Sequence, residues 1–157
     1  MPWTKPRLAK IYEALGAVAD DRVELNESKN EAKVFSSSGS KYYTVSWNDD
    51  FSQMMANDNA AYYVGELSYP MIAVLLVKGK VSFNSEIISK LKNIKWKDIN
   101  KKFKNDYEKS VAFVLSELES TGVNTNDIQT EAVRIHNNIC PLDIDLFGKR
   151  RMPPLGY

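Results

Sequence analysis

The sequence predicts an α+β fold, on three observations. Apolar residues recur every three or four positions near the N-terminus. They then alternate with polar residues over 22–47. From Ser68 onward they return to helical spacing. A chain of 157 residues has the length of one domain. We place that domain at 1–147, with an extended tail at 148–157.

Leu8, Ile11, Tyr12 and Leu15 fall at i, i+3, i+4 and i+7, one stripe of a helix over 5–18. Thr4 stands where an N-cap is wanted, and Pro6 is tolerated in a first turn. Three runs with a period of two follow: Val23 and Leu25, Ala32 and Val34, and then Tyr43, Val45 and Trp47. Polar connections at Glu27–Asn30 and Ser36–Ser40 separate them, and Gly39 can supply the positive φ of a tight hairpin. The result is a three-stranded antiparallel meander whose apolar face needs a helical cover.

Phe51, Met54 and Met55 are spaced for one or two helical turns, and Tyr62-Tyr63-Val64 for a short strand. Met71–Val77 is the longest apolar run, seven residues between Pro70 and Gly79. It is too short to span a bilayer, which needs about 20 residues, so it reads as a central buried helix with a buried strand as the alternative. Three further stripes follow. They are Ile87, Ile88 and Leu91; Trp96, Ile99, Phe103 and Tyr107, continuing through Val111, Val114, Leu115 and Leu118; and Ile128, Ala132, Ile135 and Ile139. Asn84 or Ser85 caps the first of these, and Asn126 with Gln129 resembles a capping box. Pro153 and Pro154 keep the tail extended.

Composition excludes several classes. Hydrophobic residues are 43% and charged residues 26%, so the chain is neither disordered nor collagenous. The single cysteine forbids an internal disulfide, and no signal peptide is legible, so a cytoplasmic setting is expected. The net charge of +1 conceals unequal blocks. Residues 78–109 hold ten lysines against four carboxylates, and residues 117–145 hold six carboxylates against one arginine.

Within the basic block, Lys97, Lys101 and Lys104 share a helical face beside Trp96 and Phe103. A lysine face tracks phosphates and exposed rings stack on bases, so residues 90–109 are a candidate nucleic-acid surface. The plainer reading is a solvated face, because the aromatic residues themselves form one inward stripe. A second candidate is the polar loop of Asn57, Asp58, Asn59 and Glu66, a small-molecule or ion site if it is not simply turn chemistry. His136 and Cys140, four apart, would share a helix face and suit a thiolate–imidazole pair or two metal ligands. A lone cysteine is more often a small buried hydrophobe, and we expect no metal and no cofactor.

No nucleotide-binding, zinc-protease or serine-hydrolase motif is present. The chain therefore reads as a non-enzymatic binding or assembly module that self-associates, its partner a second copy of itself. A nucleic-acid-binding protein is the alternative, and a small hydrolase or metal-dependent enzyme comes third. No membrane partner is expected.

Overall fold

The structure, a computed structural model, describes residues 1–155. It is α+β, with an N-terminal helix, a mainly antiparallel sheet and a helical remainder packed against it. Helix α1 (Leu8–Ala19) is followed by strands β1 (Val23–Asn26), β2 (Glu31–Phe35), β3 (Tyr42–Trp47) and β4 (Gln53–Ala56). Helices α2 (Tyr69–Val77), α3 (Ser85–Ile88), α4 (Trp96–Lys102), α5 (Tyr107–Ser120) and α6 (Asn126–Ile139) come next, and β5 (Asp145–Leu146) closes the order.

The meander forms where its alternation places it, with Val23 opposite Val34 and Ala32 opposite Val45. Gly39 takes φ 78° in the β2–β3 hairpin. The sheet then continues beyond the three expected strands, in the order β1-β2-β3-β4-β5 with β5 parallel to β4. Met54 and Met55 therefore lie in a strand and not in helical turns. The Asn48 carboxamide accepts from Gln53 N at 2.9 Å and closes a turn with Phe51 at φ 60°. Both faces of β4 are covered, so Met54, Met55 and Ala56 are all buried and no alternation survives to mark the strand. Tyr62-Tyr63-Val64 is likewise no strand. It lies in a π-helical turn, Ala60–Val64.

The first helix starts at Leu8, where its apolar stripe begins, and not at residue 5 behind a Thr4 cap. Residues 1–6 run extended, bridging Pro2 to Asp145 and Thr4 to Glu66, and the Thr4 hydroxyl donates to Gly65 O instead of capping. Pro6 explains this, because the residue before a proline avoids helical geometry. At the other end, Thr125 and not Asn126 holds the N-cap position of α6. The stripe from Trp96 to Leu118 is two helices, broken at a corner where Lys104 and Asn105 take φ 53° and 63°.

Helix α2 occupies the centre as the sequence implied, and the strand alternative fails. Met71 through Leu76 are all buried, with α1 packed beside it and the sheet beneath. Ile128, Ala132, Ile135 and Ile139 are wholly buried on α6. No helix among the described residues is long and apolar enough to cross a membrane.

Residues 148–155 form no helix or strand, with a bend at Gly148 and a turn at Leu155, and Gly156 and Tyr157 lie outside the described residues. It is not a free end. Arg150 donates to Tyr62 O at 3.2 Å and lies 5.7 Å from the Trp3 ring. Gly65, at φ 77°, admits it: a Cβ there would stand 2.5 Å from Arg150 Nη2.

Candidate functional site

Helix α1 is enclosed on nearly every side, which makes two of its charged residues interior. Lys10 is 5% exposed, and the Glu13 side chain 13%. The small residues Ala9, Ala14, Gly16 and Ala17 let neighbouring elements close in. Gly16 is the tightest point, because a Cβ there would stand 2.5 Å from Trp96 Nε1. Trp96 thereby wedges α4 against the C-terminal half of α1.

A cavity of about 630 Å³ opens beside this wedge. Its walls come from α1, the β2–β3 hairpin, the start of α2 and the α4–α5 corner. Ser37 ties the hairpin to α4: its hydroxyl accepts from Lys97 N at 2.9 Å, and its carbonyl accepts from Lys95 Nζ at 3.4 Å. Among the described residues five cations line the space, Arg22, Lys41, Lys97, Lys101 and Lys104, against one carboxylate, Glu13. The volume falls in the range of small-molecule sites, about 300–1,000 Å³.

Arg22 is the inner cation, its side chain only 9% exposed. Nη1 donates to Phe35 O at 2.7 Å, and Nε lies 3.4 Å from the Asp20 carboxylate. Nη2 is buried and has no hydrogen-bond partner among the described residues. Nη2 is sealed on the Gly16 side, 3.7 Å from where a Cβ there would stand, so the cavity meets this guanidinium as a charge and not through that donor.

Around Glu13, Asn100 Nδ2 donates to Oε1 at 3.4 Å, and Lys10 Nζ lies 3.8 Å from Oε2. Lys10 also sits 3.5 Å over the Tyr107 ring. Burial pushes the Glu13 carboxyl above its ordinary value, more than Lys10 and Arg22 hold it down. Burial and the neighbouring Glu13 push the Tyr69 phenol well above its own. Titratable groups shifted together in one cleft are a mark of functional sites.

The sequence candidates distribute unequally around this cleft. Lys97, Lys101 and Lys104 line it together, and Asn59 joins them. The other members of the polar loop do not converge there. Asn57 accepts from Thr44 N at 2.9 Å, alongside the β3–β4 pairing. Asp58 is buried, accepting from the Ser68 hydroxyl at 2.6 Å and from Ala61 N at 3.4 Å. It clips the π-helical turn to the start of α2, and its burial raises its carboxyl. Glu66 is buried and pairs with Arg7 at 3.0 Å.

His136 and Cys140 do meet, Nε2 to Sγ at 3.4 Å, but Nε2 also lies 2.8 Å from Pro6 O. That carbonyl needs Nε2 as a donor, which leaves this nitrogen unable to take a thiol proton. Among the described residues no three His, Cys, Asp or Glu side chains cluster as metal ligands.

Glu13, Arg22, Tyr43 and Tyr69 escape pattern reading, because α1, the α1–β1 connection, β3 and α2 bring them together. The small residues of α1 were the available signal, since a helix so poor in bulk is enclosed on all sides.

No curated protein and no solved structure matches the chain. A family model does match, over residues 3–145, and with it every helix just described: the chain belongs to the family described as Uncharacterised conserved protein UCP014422.

Proposed function

We propose that the protein is a binding protein for a small polyanion, held in the cleft between α1, the β2–β3 hairpin and the α4–α5 corner. The observation that carries this reading is the convergence, among the described residues, of five cations on one cavity, the innermost a nearly buried arginine. Lysines at the mouth concentrate an anion by long-range attraction, and the Arg22 charge strengthens that attraction deeper in the cleft, where hydration is poorer. This supports the binding half of the expectation from sequence and gives Lys97, Lys101 and Lys104 a role other than tracking a duplex. Trp96 is 2% exposed and Phe103 packs on Phe113, so neither ring presents an open stacking platform.

Titration calorimetry with pyrophosphate, propanetricarboxylate and a nucleoside triphosphate tests the reading. At least one should bind, and Arg22→Gln should weaken it about tenfold or more, through the loss of that charge. Absence of binding by all three at millimolar concentration would refute it.

Self-association is a second reading, favoured by Tyr63 at 67% exposure and Val64 at 60%, side by side on the π-helical turn. The charge blocks favour it less than their sequence did. Lys90 pairs with Asp127 and Lys78 with Glu27, each at 2.6 Å, within the chain. Light scattering across a wide concentration range tests it, and a constant monomer mass would exclude it.

A further inference from the structure

Resting on the reading of the cleft as an anion site, we infer that Glu13 recognises the ligand as a neutral carboxylic acid, donating its proton in a hydrogen bond to an oxygen of the bound anion. Among the described residues Glu13 is the one carboxylate in a wall whose other charged side chains are cations. As a carboxylate it would repel the ligand that those cations attract. As an acid it adds a donor where the ligand needs one.

The surroundings of Glu13 are compatible with the neutral form. On its own helix, Lys10 is 3.8 Å away, beyond hydrogen-bond reach, and is engaged with the Tyr107 ring of α5. Arg22, following α1, is held by Phe35 O and Asp20; its charge and that of Lys10 pull the carboxyl down, and burial outweighs both. From α4, Asn100 offers one neutral donor to Oε1. Asp58 acts from the loop after β4 and adds negative charge near Glu13. The Tyr69 phenol of α2, within its electrostatic reach, is neutral at any ordinary pH. Tyr43 of β3 and Lys41 line the same cavity, as do Lys97, Lys101 and Lys104 at its mouth. Burial by itself raises the carboxyl. A bound anion shifts it further in the same direction, because like charges at short range in poorly hydrated surroundings disfavour ionisation.

Binding is then linked to uptake of a proton. The sign follows: affinity is constant at low pH, where Glu13 is already protonated. It falls as pH rises through the carboxyl's raised value, by about tenfold per pH unit for a single linked proton.

The test uses the full-length protein and benzenedisulfonate, whose sulfonates stay ionised throughout, so that the probe contributes no proton of its own. Calorimetry between about pH 5 and 9, in buffers of different ionisation enthalpy, counts protons directly. Wild type should take up nearly one proton on the alkaline side, with the tenfold slope. Glu13→Gln, whose amide still donates, should bind with no slope and no proton uptake. Binding by wild type without proton uptake would overturn the role of Glu13 while leaving the anion site standing. An unchanged slope in Glu13→Gln would do the same. Should the variant fail to fold, the wild-type proton count decides alone. Failure of benzenedisulfonate, pyrophosphate and propanetricarboxylate to bind at any pH would overturn the anion site and this inference together.

Discussion

Gly16 has a single hydrogen where a methyl would meet the Trp96 indole at 2.5 Å. An indole locked between α1 and α4 cannot swing aside cheaply, so Gly16→Ala should destabilise by about 1–3 kcal/mol, the usual cost of overpacking. Urea unfolding measures the loss, and tryptophan emission should report the displaced ring. The buried carboxyls make a second prediction at this scale. Glu13 and Asp58 are held above their ordinary values by burial. A carboxyl raised in the fold stabilises it fully below the unfolded value and loses that contribution as pH rises through the folded one. Glu131 behaves oppositely. Its partner Arg134, 2.7 Å away, holds it below its ordinary value, so its contribution is present above the unfolded value and is lost on acidification. Glu13→Gln should therefore gain stability relative to wild type as pH rises from about 5 to 8, read by denaturation at each pH. A constant difference between the two proteins would contradict the burial account.

Among the elements, α2 makes the plainest case for reading structure from sequence. A seven-residue apolar run between a proline and a glycine has no polar face, and such a helix has to be central. Leu75 is 1% exposed within it. Leu75→Ala should cost about 2–5 kcal/mol, and a change within about 0.5 kcal/mol in chemical denaturation would show the run is not core. The strand β4 shows why other elements were illegible. Met54 and Met55 are covered on both faces by tertiary neighbours, so burial erased the alternation that marks a half-exposed strand, leaving spacing that imitates a helix. The corner at Lys104 and Asn105 was equally silent. Neither residue is a glycine, yet both take positive φ, and the apolar stripe passes through them unbroken. The cleft inherits this division. Its lysines lie on one short segment and were legible as a face, whereas Glu13 and Arg22 become neighbours only once α1 turns into the sheet.

For the whole molecule, the +1 net charge hides a sorting of charge by place. Part of the basic block is neutralised on the surface by Asp127 and Glu27, in pairs that solvent screens heavily. Lys97, Lys101 and Lys104 instead gather with Lys41 and Arg22 around one concavity. The triple change of Lys97, Lys101 and Lys104 to Glu should leave the fold intact, since all three are exposed, and should abolish polyanion binding. The measurement that tests this most directly is an amide NMR titration of the full-length protein with pyrophosphate. The cleft account predicts saturable shifts confined to the neighbourhoods of Glu13, Arg22, Ser36–Ser37 and Lys97–Asn105. Shifts that never saturate, or that spread equally to lysines outside the cleft such as Lys78 and Lys109, would contradict it.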